Sequence, residues 1–412
     1  MKVLFIHQNF PGQFKHLAPA LAAQGHEVTA VGINQPSAPT PGVRIFLHKP
    51  QVPANAAQIA PRSFQELQTK VIRGVSAMAA LTRLKKEEGL APDLIFAHSG
   101  WGETFFVKDL FPAARMLVYA EYYFNAVGGD VGFDPEFTSP ESESSQLMQL
   151  KNLNLAHALV QADRGVSPTH FQRERHPPIL RERIEVIHDG IETTRFVPSQ
   201  SVVVTLQKAG LTFRPGDEVV TFTVRQLEPY RGYHSFMRAL PELMSLRPQA
   251  HVVIAGGDDT SYGAKPPPGT TWKDVFLKEV AGRIDMKRLH YVGRIPHNVL
   301  TQLMQVSAAH VYLTYPFVLS WSTLEAMSCG CLVVGSRTAP VEEVIEHGVN
   351  GLLVDFFDPA AIARTVADAL ARREELAPLR EAARRTIVER FDLQSICLPR
   401  QIDLVLRTGR GE

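Results

Sequence analysis

Short apolar runs recur along the chain, each followed by a turn signal and then by a longer stretch with helical spacing. Lys2–Ile6 reads as a buried strand, Pro11-Gly12 as a turn, and Gln13–Gln24, closed by Gly25, as a helix. Strand-like runs follow at Val28–Ile33 and Val43–Leu47, then a long helix over Arg62–Glu88 and strands at Leu94–Ala97 and Met116–Ala120. Strands alternating with helical stretches predict parallel βαβ units, because a parallel neighbour is reached only through a crossover. Glu121–Pro140, rich in aromatics, Gly and Asp, is too long for a bare connection and is expected to be a functional loop.

A helix is predicted over Glu141–Gln161 and a strand ending at Ile187, after which His188–Ser201 carries the punctuation of a linker. A second alternation then begins. Strands are predicted at Val219–Val224, Val252–Ala255, Leu289–Val292, Val311–Leu313 and Leu332–Val334, with helices at His234–Leu246, Trp272–Ile284, Val299–Val306 and Ser322–Ser328. The chain therefore divides into residues 1–190, a hinge at 191–200, a second domain at 201–390 and a closing helix at 391–412 expected to pack back on the first. Helical period runs through Pro359–Phe391 and Asp392–Leu406. Glu374, Glu375, Glu381 and Glu389 are interspersed with the tail's arginines, which reads as a solvated helix and not as a nucleic-acid or membrane face.

At 412 residues the chain suits two hydrophobic cores. A composition of 45% hydrophobic and 21% charged residues excludes a disordered or fibrous protein. Lys and Arg at 43 against Asp and Glu at 42 leave a net charge of +1, so no global field draws the chain to nucleic acid or an anionic bilayer. Cys329, Cys331 and Cys397 form neither a disulfide framework nor a zinc knuckle nor a Cys-x-x-Cys pair, which fits a reducing compartment. The opening MKVLFIHQNF is too short for a signal-peptide core, and no apolar stretch approaches the ~20 residues of a membrane span. The expectation is a cytoplasmic protein with at most peripheral contact at the inner membrane face. Arg62, Lys70, Arg73, Arg83, Lys85 and Lys86 would form a basic strip on the long helix, diluted by Glu66, Glu87 and Glu88.

Four places carry candidate chemistry. Asn9-Phe-Pro-Gly12 before a helix offers backbone N–H groups to a phosphate, or uses its Gly only for a positive φ; it is neither G-x-G-x-x-G nor a P-loop. Arg225 and Arg231, around a turn between a strand and a helix, can converge on a diphosphate, or can be surface arginines paired with Glu228. Within Tyr315–Gly330, Glu325 stands in an apolar run, needs a partner there, and can accept two ribose hydroxyls. His98 ends the strand Asp93–Ala97, the edge where α/β sheets place ligands, although a His there can also be a structural cap. Asp258 and Asp259 read as turn residues, and no histidine spacing suggests zinc.

Together these motifs resemble the retaining glycosyltransferases of family 4 (glycosyl transferases group 1) over most of the chain. The resemblance rests on Arg225…Arg231-Gly232, Leu324-Glu-Ala-Met-Ser-Cys-Gly330, Pro340–Ile345 and Gly348–Val354. It also rests on Val186–Glu192 with Phe196, where Asp189 and Glu192 take the Asn and Asp positions of the hinge signature. It implies the α/β GT-B fold, two facing Rossmann-like domains with parallel sheets and a C-terminal helix tail. By position, Gly12, Arg225, Arg231, Thr323 and Leu324 would hold the donor phosphates, Arg231 standing where the family usually has Lys. Glu325 would bind the ribose, and Arg294 and Ile295 would read the base through the main chain. Backbone amides from Leu319 to Leu324 would meet the sugar and phosphates, with Phe317, Leu319, Ser320 and Trp321 around the sugar and His98 beside its reacting carbon. Phe317 replaces the first Glu of the family's Glu-x7-Glu motif, and Ser320 its usual Gly, which leaves the donor sugar open.

The implied activity is transfer of a hexose, first glucose from UDP-glucose, onto a glycan or lipid-linked acceptor. No Asp or Glu in the matched motifs suits a nucleophile, so a front-face reaction stabilised by Arg225 and Arg231 is implied, with no metal or cofactor required. The alternatives are a nucleotide-sugar-binding module that has lost catalysis, and a sugar-nucleotide epimerase. Acceptor contacts are expected from the first domain, at Tyr122, Tyr123, Asp130 and Asp134, where a buried aromatic loop is the competing reading.

Overall fold

The computed structural model describes residues 1–51, 62–138 and 145–412. They form two compact units. The first comprises Met1–Gly132, Ser139–Gly190 and Gln394–Glu412, and the second Phe133–Thr138 and Ile191–Leu393.

In the first unit, β1 (Lys2–Ile6), β2 (Glu27–Gly32), β3 (Val43–Leu47), β4 (Leu94–His98), β5 (Arg115–Tyr119), β6 (Arg164–Ser167) and β7 (Ile184–Val186) make a parallel sheet of order β3-β2-β1-β4-β5-β6-β7. Successive side chains leave a strand on opposite faces, so each strand feeds two cores. Leu4, Ile6, Ile95, Ala97, Met116 and Val118 pack on one face with Leu81 and Leu84 of α2 (Arg62–Glu87) and Ala158 and Leu159 of α3 (Ser145–Gln161). Val3, Phe5, Leu94, Phe96, Leu117 and Tyr119 pack on the other with Leu17, Ala18 and Leu21 of α1 (Leu17–Ala23).

The second unit repeats the plan. After a short antiparallel pair, β8 (Val204–Leu206) and β9 (Leu211–Phe213), come β10 (Val219–Gln226), β11 (His251–Gly257), β12 (Leu289–Gly293), β13 (Ala309–Tyr312), β14 (Val333–Ser336) and β15 (Leu352–Val354). Their parallel order is β12-β11-β10-β13-β14-β15. The longer helices are α4 (Tyr233–Leu246), α5 (Trp272–Val280), α6 (His297–Val306), α7 (Trp321–Ser328), α8 (Pro359–Ala371) and α9 (Ala377–Phe391). The last helix, α10 (Leu398–Arg410), belongs to the first unit, where Leu404 and Val405 join the core of α1. Gly232, which opens α4, has φ +66°, and a Cβ there would lie 2.2 Å from the Leu313 Cβ, so the turn between β10 and α4 admits only glycine.

Several expected elements differ. The helix expected at Gln13–Gln24 is a single 3-10 turn, Gly12–Phe14, followed by α1; Pro19, lacking an N–H, is tolerated only in a first turn and so sets the start at Leu17. The tail helix expected over Pro359–Phe391 breaks between α8 and α9, and the helix expected at Trp272–Ile284 ends at Val280. The first residues of the helix expected at Glu141–Gln161 lie outside the described residues, as does the Arg62 side chain. The basic strip on α2 is interrupted, because Lys70 is buried, donates to the Lys151 carbonyl at 3.0 Å and pairs with Glu66 at 3.5 Å. Among the described residues no helix is long and apolar enough to cross a membrane.

Candidate active site

In an open α/β sheet, ligands bind beyond the carboxyl ends of the strands where the strand order reverses. In the second unit that point lies between β10 and β13. Arg231, just after β10, crosses it: one guanidinium nitrogen donates to the Thr314 hydroxyl at 3.0 Å and to the Val318 carbonyl at 3.1 Å, both beyond β13. The guanidinium carbon also lies 5.7 Å from the Tyr262 ring centroid and 5.9 Å from that of Phe317. Arg225 is exposed and, among the described residues, has no ion pair. Neither arginine forms a direct ion pair with Glu228 among the described residues, although the charges of both favour its ionised form. The Glu228 carboxylate is buried and accepts instead from the backbone amides of Ser261 and Tyr262 at 2.7 and 3.1 Å, with burial pushing its carboxyl above the usual range.

Glu325, buried in α7, has the partner its apolar surroundings require: His297 at the start of α6, Nε2 to Oε1 3.0 Å. Thr323 is buried, and its hydroxyl has no partner among the described residues. The expected row of free amides from Leu319 to Leu324 is shorter than anticipated. Ser320 N donates to the Tyr312 hydroxyl, Ser322 N to the Ser320 hydroxyl and Thr323 N to the Ser320 carbonyl. Leu319 is a core residue, Phe317 is buried edge-on against Tyr230, and Trp321 is half-buried. Arg294 donates to Gln226 at 3.1 Å and pairs with Asp259 at 2.8 Å, while Ile295 packs against the core below. Asp258 pairs with Lys273 at 3.6 Å, so both aspartates are turn residues with cationic partners.

In the first unit the strand order reverses between β1 and β4, and a connected polar set lies beyond these strands and β5. His98 is buried and stacked on Trp101, centroids 4.1 Å apart, and on Tyr119 at 5.3 Å. Its Nδ1 accepts from Gly100 N–H at 3.0 Å, so the neutral ring carries its hydrogen on Nε2, 3.5 Å from a Glu121 carboxylate oxygen. The other Glu121 oxygen accepts from Gln13 at 3.0 Å, and the Gln13 amide oxygen accepts from His7 Nε2 at 2.8 Å. Burial opposes the Glu121 charge, but His98 and Gln13 outweigh it and hold the carboxyl below its usual range. Gly12 has φ +48°, and a Cβ there would lie 2.3 Å from the His7 ring, so glycine is required for this contact; the short turn after it offers no helix N-terminus to a phosphate.

His7, Gln13 and Glu121 were not assigned roles from the sequence. The available signal was their position, directly after apolar strand runs or the first turn. Asp189, in the hinge motif, accepts from the Tyr119 hydroxyl with both oxygens at 2.9 and 3.0 Å. Burial lowers His7 to about 3 and His48, His176 and His188 to about 4. These imidazoles are neutral in the folded unit, whereas the unfolded chain takes up protons near pH ~6.5. Stability is therefore complete above that pH and is lost as pH falls toward about 4. Melting temperatures measured from about pH 7 to about pH 5 should fall steadily; a flat profile would show that the imidazoles are not buried.

A family profile described as the glycosyl transferase family 4 group matches residues 24–196, and one described as glycosyl transferases group 1 matches residues 208–386. The chain belongs to the family-4 glycosyltransferases. The D-inositol 3-phosphate glycosyltransferase of Mycolicibacterium vanbaalenii is 27% identical to this glycosyltransferase over 191 residues, which are 46% of the chain but only 41% of that enzyme. The Corynebacterium efficiens enzyme of the same name is 24% identical over 316 residues, 74% of this chain and 69% of its own. Among solved structures, HepE of Anabaena in complex with UDP-glucose aligns with a TM-score of 0.65 at 19% identity, covering 99% of this chain and all of its own. Sucrose-phosphate synthase of Thermosynechococcus elongatus aligns at 0.74 and 18% identity over 100% of both chains. At these identities the likeness carries the GT-B fold alone.

The expected acceptor loop of the glycosyltransferase is divided. Tyr122 is buried, and its hydroxyl donates to Asp130 at 2.9 Å; Tyr123 is half-buried. Asp134 is withdrawn from acceptor binding. It is buried in the second unit, one oxygen taking the Tyr315 hydroxyl at 2.9 Å and His234 Nε2 at 3.1 Å, the other the Glu136 amide at 3.1 Å. Around it, Phe137 packs against His234 and Trp272, and Glu136 forms a bidentate pair with Arg238, both bonds 2.7 Å. Asp134, Glu136 and His234 offer ligand atoms within 4.8 Å of one another, but the Arg238 guanidinium already supplies a cation to both Glu136 oxygens.

Proposed function

We propose that the chain transfers a hexose, glucose from UDP-glucose being the first candidate, to a hydroxyl of a glycan or lipid-linked acceptor with retention of configuration. The observation that carries this reading is the pair of arginines at the reversal point of the second sheet, Arg231 bridging the two sides and Arg225 exposed, with no ion pair among the described residues. Guanidinium groups placed there meet charge as it develops on a departing diphosphate. In the proposed step the bond from the anomeric carbon to the diphosphate oxygen breaks, and the acceptor oxygen bonds to that carbon on the same face. The acceptor's proton passes to the leaving phosphate oxygen. Glu325, held by His297, is assigned to the donor ribose, and His98, held by Glu121 and Gly100, to the reacting sugar. HepE, whose fold the chain shares, has been solved with UDP-glucose, which supports testing that donor first.

The test is thermal stabilisation by nucleotide sugars followed by transfer. UDP-glucose should raise the melting temperature at saturation by more than GDP-mannose does, since a ligand bound only to the native state stabilises it. No shift with any UDP- or GDP-sugar would sink the reading. Stabilisation without UDP release over a broad acceptor panel would favour the second reading, a binding module, for which Phe317 in place of a carboxylate is the motivating observation. Interconversion of the free nucleotide sugar without acceptor would mark an epimerase.

A further inference from the structure

Within the first unit a cavity of about 290 Å³ is lined by Gln8, Ile33, Asn34, Pro50, Thr69 and Arg73. Gln8 lies two residues past β1, Ile33 and Asn34 just past β2, and Thr69 and Arg73 one turn apart on α2, so the cavity opens on the carboxyl edge that also carries His7 and His98. Arg73 is half-buried and, among the described residues, makes neither an ion pair nor a hydrogen bond. The nearby acid, Glu103, is buried with neither carboxylate oxygen hydrogen-bonded among the described residues; burial pushes its carboxyl up while the Arg73 charge opposes that shift, and the two make no direct ion pair. The Gln8 amide oxygen and His48 Nε2, the latter close enough for Arg73 to disfavour its charge, are also buried without partners among the described residues; of the two residues only Gln8 lines the cavity. What remains open on the cavity wall is the Arg73 guanidinium, with no hydrogen bond or ion pair among the described residues, beside the polar side chains of Gln8, Asn34 and Thr69, an arrangement that a polar ligand would complete.

We infer that this cavity is the acceptor subsite and that the acceptor carries an anionic group, phosphate or carboxylate, held by Arg73 beside hydroxyls held by Gln8, Asn34 and Thr69. The guanidinium offers a fork of donors matched to a phosphate or carboxylate, and amide and hydroxyl side chains suit a polyol. The volume, at the low end for small-molecule sites at ~300 Å³, fits one ring with its anionic substituent. The inference rests on the transferase reading above, but the binding it describes can be measured without transfer. The phosphate can belong to a free sugar phosphate or to the head of a lipid-linked acceptor.

The experiment uses the full chain in saturating UDP, which occupies the arginines of the second unit. Calorimetric binding of glucose 6-phosphate and of glucuronate is measured alongside co-sedimentation with phosphatidylcholine vesicles carrying a polyprenyl phosphate. At least one anionic probe should bind while glucose itself does not, with Arg73→Gln weakening it about tenfold or more and Arg73→Lys restoring part of the loss. Binding of glucose 6-phosphate or glucuronate assigns a soluble acceptor, and Arg73-dependent sedimentation a lipid-linked one. Unchanged binding by a folded Arg73→Gln variant, or binding of no anionic probe in any arm, overturns the inference. If UDP fails to bind while an Arg73-dependent anion still does, the donor assignment fails and the cavity assignment stands.

Discussion

Arg225→Ala should leave the melting temperature within about 1 °C of the parent while lowering kcat/KM for transfer by about 100- to 1,000-fold. Structure and chemistry separate cleanly at this residue. Its guanidinium is exposed and makes no ion pair among the described residues, so truncation breaks no direct bond and removes only a longer-range charge interaction with Glu228, and surface changes of this kind usually stay within about 0.5 kcal/mol. Removing one preorganised donor from a developing anion typically costs about 2.7–4 kcal/mol of transition-state stabilisation. Arg231 is a poorer probe, because its bonds to Thr314 and Val318 would be lost as well, so Arg231→Ala mixes a stability loss with a catalytic one. Initial rates of UDP release with a fixed acceptor, beside a thermal melt, decide the matter. A variant as active as the parent would remove Arg225 from the site.

Asp134→Ala should be among the most destabilising single changes in the second unit, costing about 3–5 kcal/mol. The carboxylate is buried, and its loss leaves the Tyr315 hydroxyl in the interior without this acceptor and His234 Nε2 with only the Ser235 hydroxyl, at 3.2 Å. For a unit of this size that corresponds to roughly 6–20 °C in the melting temperature. Burial opposes the Asp134 charge, yet the His234, Tyr315 and Glu136 hydrogen bonds outweigh it and hold the carboxyl below its usual value. Its contribution is therefore present above about pH 4 and is lost as pH falls through the lowered folded value. Calorimetric melts of Asp134→Ala and Asp134→Asn at neutral pH test this; a shift under about 2 °C for both would show that segment 133–138 is not anchored by its carboxylate.

The sheets were readable because parallel strands covered on both faces are continuous apolar runs, as in Val3–Ile6 and Val252–Ala255. The pair β8 and β9 was missed, since two strands of three residues are too short to show alternation. The break between α8 and α9 is invisible in the apolar period, yet Pro378 in the first turn of α9 announces a helix start. Arg225, Glu325 and His98 stood out because each directly follows or interrupts an apolar run. The partner of Glu325 did not: His297 lies 28 residues earlier, and only the packing of α6 beside α7 brings it within reach. Asp134 was misread for a related reason. Aromatic residues around an aspartate suit a sugar and a buried hydrogen-bond centre equally well, and composition does not distinguish the two.

The placement of α10 also orders events during synthesis. In the first unit Met1 lies against Gly409, where a Cβ would come within 2.3 Å of the methionine sulfur, and Leu404 and Val405 complete the core that Leu17 and Leu21 begin. A ribosome adding about 5–20 residues per second emits Gln394 roughly 10–40 s after Gly190. During that interval the seven-stranded sheet has one face short of its last helix. The first half of the chain to be made is thus the later to be finished, and the apolar face awaiting α10 stays uncovered by its own chain until the last residues emerge.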